Sequence, residues 1–170
     1  MIDELDLPVA LSSRGGPMRL RGATQGDLDA IMALLSDDPV SAGRGDVAAA
    51  DDRGLYLRGL LRILDSESND VLVVESDDGV VATMQLTVIP GMARRGSTRL
   101  LVEAVRVASA ERSAGIGAAM MTWVADVAAP AVGASIVQLT SDAARTDAHR
   151  FYTRLGFVDS HVGFKLPVAR

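Results

Sequence analysis

The sequence contains no cysteine, which excludes a disulfide framework, a thiolate metal site and a cysteine nucleophile. Histidine is scarce as well. Only His149 and His161 are present, and their spacing matches no metal-binding motif. We therefore expect no bound metal, and any group transfer that the protein catalyses is expected to proceed without a cysteinyl intermediate.

Basic residues are outnumbered, with 17 Lys and Arg against 22 Asp and Glu, a net charge of -5 and a pI of about 4.9. This balance argues against a nucleic-acid partner, because phosphate neutralisation supplies much of that affinity. The first residues, MIDELDLPVA, lack the basic start of a signal peptide. No apolar run reaches the roughly 18 residues of a membrane span. We expect a cytoplasmic protein that does not bind a membrane.

The chain has 170 residues, of which 48% are hydrophobic, and this composition is typical of a globular protein. Residues 1–17 combine an acidic start with a run of small residues and are predicted to form a flexible N-terminal arm. Residues 18–170 are predicted to form a single domain. Within it, short strand patterns alternate with helical ones, and Asp78-Gly79 is typical of a hairpin turn.

The stretch Leu100–Met120 carries the most specific chemistry in the chain, because it predicts a strand, a tight turn and then a helix. Gly115 and Gly117 allow a sharp backbone turn without side chains in the way. Successive N–H groups and the helix dipole would then form a site for a pyrophosphate. Arg112 would add charge-assisted hydrogen bonds.

Two common phosphate-binding motifs are excluded. No Gly-Lys-Ser/Thr sequence follows the glycines, so the loop of nucleoside triphosphatases is absent. The dinucleotide motif requires a third glycine where Met120 stands. Two alternatives stay open at this point: an ordinary helix start with glycines in its turn, and a nucleotide-binding α/β protein with another ligand.

Two motifs carry a family resemblance. The run Val105–Val107, followed by Arg112-x-x-Gly115-x-Gly117-Ala118, resembles the signature Arg/Gln-x-x-Gly-x-Gly/Ala of the GNAT superfamily of N-acetyltransferases. Further along the chain, Ala148–Phe157 is similar to that family's second landmark, Ala-x-x-Phe-Tyr-x-x-x-Gly-Phe. The resemblance implies an α/β acyl-CoA N-acyltransferase fold. Its central sheet is mixed, mostly antiparallel, splayed at the cofactor site and flanked by helices.

The resemblance implies acetyl-CoA as the co-substrate. Backbone groups of Val105 and Val107, on either side of Arg106, would pair with the pantetheine arm. Arg145 stands where many relatives carry an asparagine, so it either meets a cofactor phosphate or is simply exposed. The residues implied to hold the pyrophosphate are Arg112, Ser113, Ala114, Gly115, Ile116, Gly117 and Ala118.

Tyr152 matches the family's tyrosine, which is placed to protonate the departing thiolate. The alternative is that Tyr152 is a core aromatic residue beside Phe151. Glu103 is the candidate general base, since Glu103, Val105 and Val107 are predicted to alternate onto one face of their strand. The alternative is a solvated ion pair. By resemblance, the N–H of Val107 would stabilise the oxyanion.

The function implied is acetyl transfer from acetyl-CoA to a primary amine of a small molecule or a peptide, with a homodimer as the expected assembly. The alternative is an inactive GNAT-like module that binds CoA as a sensor or interaction partner. The acceptor itself is not predicted. Its binding segments would be residues 36–53, 91–99 and 159–164. The first contains several aspartates that either receive a cationic amine or are solvated. They are Asp37, Asp38, Asp46, Asp51 and Asp52.

Overall fold

A computed structural model describes residues 5–43 and 45–168. These residues fall into two compact units, of which the larger ends at Leu139 and the smaller begins at Thr140. The single domain predicted over residues 18–170 stays a prediction. Among the described residues, no helix combines the length and the apolar character that crossing a membrane requires.

Among the described residues, six strands and most of the helices belong to the larger unit. The strands are β1 (Val9–Ser13), β2 (Gly16–Gly22), β3 (Asn69–Ser76), β4 (Gly79–Ile89), β5 (Thr98–Val107) and β6 (Ala134–Leu139). The helices are α1 (Leu28–Ser36), α2 (Pro39–Ala42), α3 (Arg53–Leu64), α4 (Ala93–Gly96), α5 (Ile116–Trp123) and α6 (Ala129–Ala131). A π-helical segment, Val124–Ala128, joins α5 to α6.

The six strands form one sheet in the order β1-β2-β3-β4-β5-β6. All neighbours are antiparallel except β5 and β6, which are parallel. The predicted mixed, mostly antiparallel sheet is therefore confirmed. The chain between β5 and β6 includes α5 and α6 and is long enough to return to the same end of the sheet, as a parallel pair requires.

The predicted flexible arm is wrong for Val9–Ser13, which form β1 and pair with β2. In this register Leu11 stands opposite Met18, and both side chains are buried. Pairing gives this segment backbone hydrogen bonds and a place in the core, which its small, polar composition did not suggest. Residues 1–4 of the predicted arm lie outside the described residues.

Helices cover both faces of the sheet. Leu28 and Met32 of α1, Leu60 of α3 and Val71 of β3 form a buried cluster on one face. On the other face, α5 contacts both β1 and β5 and thus crosses the sheet. Apolar side chains at helical spacing explain why these helices dock as they do. Fully buried residues on this second face of the sheet include Leu20, Leu72, Met84, Leu86 and Leu100.

An ion-pair network ties β2 to the start of α1. The guanidinium of Arg21 contacts both carboxylate oxygens of Asp27 at 2.8 Å and also contacts Glu75 on β3. Thr24 and Asp27 form a reciprocal capping box at the 3-10 turn before α1. The hydrogen bond from Arg21, opposed by burial, lowers the pKa of Asp27 to about 2.

The smaller unit contains α7 (Thr146–Arg154). After it, Gly156 has φ +90°, the left-handed conformation expected of a residue that ends a helix. The apolar pattern of residues 157–166 predicts one or two closing strands, but residues 157–168 contain neither a helix nor a strand, so this prediction is wrong. Their alternating apolar residues give a capacity for pairing, but a strand also requires a partner for its backbone.

Candidate active site

β5 and β6 run side by side only over the first part of β5. Their register begins at Thr98–Ala134 and ends at Val102–Leu139, whereas β5 continues to Val107. Within the described ranges, no strand pairs with residues 103–107 on the β6 side. β6 therefore ends before the last five residues of β5, and this part of the β5 edge has the unpaired backbone that an extended ligand requires.

At the end of β5, the backbone N–H of Val107 faces this open edge. The N–H of Ala108 donates to the carbonyl of Val81 on β4 at 2.8 Å. Because successive N–H groups of an extended chain point to opposite edges, the N–H of Val107 points away from β4. The carbonyl of Val107 accepts Nε of Arg112 at 3.3 Å. Val107 thus presents its N–H at the open edge, next to the loop that follows.

A β-bulge in β5 changes which side chains share a face. Ala104 has φ +50°, and the register shifts so that Glu103 is opposite Gln85 while Arg106 is opposite Thr83. Glu103 and Arg106 therefore share one face. Val107, opposite Ala82, falls on the other. The prediction that Glu103, Val105 and Val107 alternate onto one face is wrong, because the extra residue at the bulge breaks the alternation.

The loop between β5 and α5 has the conformation expected of an anion cradle. It begins with a 3-10 turn, Ser109–Glu111, and α5 begins at Ile116. Ser113 and Gly115 have φ of +68° and +90°. The first N–H groups of a helix have no partner within it, and the dipole adds positive charge at this end. The predicted turn and helix start are confirmed as local structure.

Arg112 is held at the end of α1. Its Nη2 donates to the carbonyl of Asp37 at 2.7 Å and lies 3.5 Å from the Asp37 carboxylate. The Arg112 side chain is half exposed. The guanidinium is therefore fixed beside the loop by Asp37 and by Val107, and it also faces solvent.

The acidic segment before α3 is partly engaged within the protein. Asp38 accepts the N–H of Ser41 at 2.7 Å and caps α2. The carboxylate of Asp46 accepts a hydrogen bond of 2.7 Å from the hydroxyl of Tyr56. Burial, together with that hydrogen bond, raises the pKa of Tyr56 to about 12. Asp37 lies beside Arg112, so three of the five aspartates predicted to bind the acceptor have partners within the chain. These partners weaken the interpretation that the segment binds a cationic amine.

Arg106 links β5 to α2. Its guanidinium donates to the carbonyl of Val105 at 2.8 Å and to Oγ of Ser41 at 2.5 Å. Ser41 is buried, whereas Glu103 on the same face of β5 is exposed. The bulge thus places an exposed carboxylate and an anchored guanidinium on the side of the sheet that α1 and α3 cover.

The other predicted residues belong to the smaller unit. Tyr152 lies on α7 and makes edge-to-face contacts with Phe151 at 5.0 Å and Phe157 at 5.7 Å. Arg145 precedes α7, and its N–H donates to the carbonyl of Asp142. Over the described residues, no three His, Asp or Glu side chains form a group that could hold a metal ion.

Comparison with known proteins agrees with this geometry. Residues 28–157 match the model of the acetyltransferase (GNAT) family. A crystal structure of a transcriptional regulator from Bacillus halodurans C-125 is 34% identical, with a TM-score of 0.83. That match covers 89% of this chain and 99% of the other. No curated protein matches the sequence.

More distant structures share the fold. Glucosamine-6-phosphate N-acetyltransferase from Arabidopsis thaliana is 17% identical, with a TM-score of 0.71 and coverage of 89% of this chain and 99% of its own. An aminoglycoside acetyltransferase from an uncultured soil metagenomic sample is also 17% identical, with a TM-score of 0.68 and the same coverage. At this identity the likeness concerns the fold alone.

Proposed function

This chain belongs to the acetyltransferase (GNAT) family, and from that premise we propose that it transfers an acetyl group from acetyl-CoA to a primary amine. One observation carries the proposal: β5 continues beyond its partner β6 and leads directly into the loop that ends at Gly115. An extended thioester arm and a pyrophosphate require these two features in this order.

The proposed binding mode uses mainly backbone groups. The pantetheine arm pairs with β5 at Val105–Val107, and the pyrophosphate lies against the residues 112–118. The fit is supported by the positive φ of Ser113 and Gly115, which turns the backbone before the first N–H groups of α5. Arg112 supplies charge, although it must share that charge with Asp37.

The proposed reaction is a direct transfer. The neutral amine attacks the thioester carbonyl carbon, a C–N bond forms, and the C–S bond breaks to release the thiolate of CoA. Glu103 takes the amine proton through a water molecule, and the N–H of Val107 donates to the oxyanion. Tyr152 is proposed as the general acid that protonates the thiolate, and this assignment is based on its motif alone. The exposure of Glu103 supports a base that is reached by solvent.

The test is a thiol-release assay with acetyl-CoA and a panel of amines. Tyr152→Phe keeps the aromatic ring and removes only the hydroxyl, so we expect kcat to fall about 100-fold while the KM for acetyl-CoA stays near its original value. Glu103→Gln is expected to lower kcat similarly. Glu67→Gln, in the loop before β3, is the matched control and should leave kcat unchanged. An unchanged kcat in Tyr152→Phe would leave Tyr152 as a packing residue.

A second candidate function has a specific observation behind it. The relative at 34% identity is a transcriptional regulator, which favours a module that binds CoA as a signal and transfers nothing. Thermal-shift and calorimetric titrations with acetyl-CoA, ATP and NAD separate the candidates. CoA binding without thiol release from any amine would favour the regulatory module. Stabilisation by ATP or NAD, with none by acetyl-CoA, would contradict both.

A further inference from the structure

The turn between β1 and β2 lies directly against the loop that precedes α5. The backbone N–H of Arg14 donates to the carbonyl of Ala114 at 2.9 Å. The Arg14 guanidinium donates to the carbonyl of Ser113 at 3.0 Å. A Cβ built on Gly15 would lie only 3.5 Å from the Cβ of Ala114. One residue of the β1–β2 turn therefore binds two consecutive carbonyls of the loop.

The turn that presents Arg14 is itself held in place. Oγ of Ser13 accepts the N–H of Gly15 at 3.1 Å and donates to the carbonyl of Gly16 at 3.3 Å. Gly16 has φ +105°, which glycine adopts without strain. Arg14 is exposed, yet its backbone is fixed by these contacts and by the pairing of β1 with β2.

These contacts set the directions of two peptide groups. A trans peptide is planar, so its N–H points opposite to its carbonyl. Because Arg14 binds the carbonyls of Ser113 and Ala114, the N–H groups of Ala114 and Gly115 are turned to the side away from Arg14. The N–H of Ala114 donates there to the carbonyl of Glu111 at 3.4 Å, so of these two groups it is the N–H of Gly115 that is offered to a ligand. Ser113 also has φ +68°, a conformation that residues other than glycine adopt rarely. The bond from Arg14 stabilises that conformation from outside the loop.

We propose that Arg14 is a positioning residue of the phosphate loop: by binding the carbonyl of Ser113, its side chain keeps the loop in the conformation in which the N–H of Gly115 faces an incoming pyrophosphate. This inference rests on the proposed function for its ligand. The geometry on which it stands lies wholly within the larger unit. In this role Arg14 acts through the loop backbone and does not contact the phosphate.

Arg14→Ala and Arg14→Lys are the test variants, and Arg19→Ala is the matched control, because Arg19 is an exposed arginine of the same hairpin whose partner is Glu75. Calorimetry would use CoA, 3′-dephospho-CoA and S-acetylpantetheine, which lacks the pyrophosphate. Backbone 15N relaxation of the free protein would report the order parameters of Ala114 and Gly115.

For Arg14→Ala we expect an affinity for CoA about 10-fold lower, the size of a lost charge-assisted hydrogen bond. The loss should be equal for 3′-dephospho-CoA and absent for S-acetylpantetheine. The KM for acetyl-CoA should rise with kcat unchanged, Arg14→Lys should recover part of the affinity, and Arg19→Ala should match the wild type. A loss confined to CoA with its 3′-phosphate would overturn the proposal, because it would place Arg14 on the ligand.

The relaxation data separate this proposal from the proposed function. If the wild type binds no CoA, the proposed function fails, but the order parameters of Ala114 and Gly115 should still fall in Arg14→Ala and not in Arg19→Ala. Unchanged order parameters in Arg14→Ala would overturn the positioning role, whatever the wild type binds. Thermal unfolding of each variant would show that the hairpin remains folded.

Discussion

The carboxylate of Asp37, at the end of α1, accepts the backbone N–H of Ser109 at 2.6 Å. The same residue binds Arg112, through its carbonyl and its carboxylate. Asp37 therefore joins the helical side of the larger unit to the start of the loop that we assign to the pyrophosphate. It places a negative charge beside the arginine that would meet a negatively charged ligand, so its contribution to the proposed cofactor site is mixed.

Asp37→Asn is expected to strengthen CoA binding. Asparagine retains an oxygen for the N–H of Ser109, but it removes the charge that competes for Arg112 and repels phosphate. We expect the dissociation constant of CoA to fall about 3-fold to 5-fold at low salt, because the ion pair is half exposed and screened. Calorimetric titration at low and high ionic strength is the measurement, and the gain should shrink with added salt.

Asp51→Asn makes the same charge change in the 3-10 turn before α3 and serves as the control. If both substitutions strengthen binding equally, net charge is responsible and the contact with Arg112 is not. Weaker binding by Asp37→Asn would show that the carboxylate mainly holds Arg112 in place for the ligand.

Local signals account for several of the turns and helix starts. The Asp78-Gly79 turn joins β3 to β4, with Gly79 at φ +113°. Thr24 caps the 3-10 turn before α1 through the N–H of Gly26. Gly115, at φ +90°, precedes α5. In each case a single side chain, or its absence, fixes the backbone within a few residues, and such rules can be read without knowing the fold.

Features that depend on distant partners were not predictable. The bulge at Ala104 is defined by pairing with β4, and nothing in the run Glu103–Val107 marks it. The contacts of Asp37 with Ser109 and of Arg14 with Ser113 join residues that are 72 and 99 positions apart. Sequence periodicity describes a residue's own element, whereas these contacts depend on how elements are placed relative to one another.

Gly115→Ala tests whether the loop requires its left-handed turn. No atom lies within 4 Å of a Cβ built on Gly115, so the cost is backbone strain alone. We expect a loss of about 1–2 kcal/mol in the free energy of unfolding, together with weaker CoA binding. Gly117→Ala, within the first turn of α5, is the matched variant and should be neutral or stabilising by up to about 1 kcal/mol. Urea denaturation measures the free energy of unfolding of both variants. Equal changes in the two variants would contradict a specific requirement for a left-handed turn at Gly115.

Substitutions at Ala104 test the bulge that places Glu103 and Arg106 on one face. Ala104 has φ +50°, which a β-branched residue tolerates poorly. Ala104→Val should lower the free energy of unfolding by about 2 kcal/mol, whereas Ala104→Gly should change it by less than about 1 kcal/mol. Urea denaturation would show the difference. A fully stable Ala104→Val protein would indicate that β5 pairs with β4 without the bulge.

The capping carboxylate of Asp27 should dominate the acid sensitivity of the larger unit. Its folded pKa of about 2 lies below the ordinary value of 3.8. The stabilisation is thus present above about pH 4 and is lost as the pH falls towards 2. The lowered pKa corresponds to about 2 kcal/mol. Asp27→Asn should therefore be less stable at pH 7 and should show a flatter dependence of the unfolding free energy on pH between 5 and 2.

Asp29→Asn is the matched control for this prediction, because it breaks an exposed pair with Arg53 at 2.7 Å. Exposed pairs contribute little, so this variant should retain most of the wild-type pH dependence. Urea denaturation at a series of pH values measures all three proteins. If Asp27→Asn loses as much unfolding free energy in acid as the wild type does, other carboxylates are responsible for the acid sensitivity. In that case the contacts from Arg21 at 2.8 Å would not stabilise the start of α1 as their geometry and burial indicate.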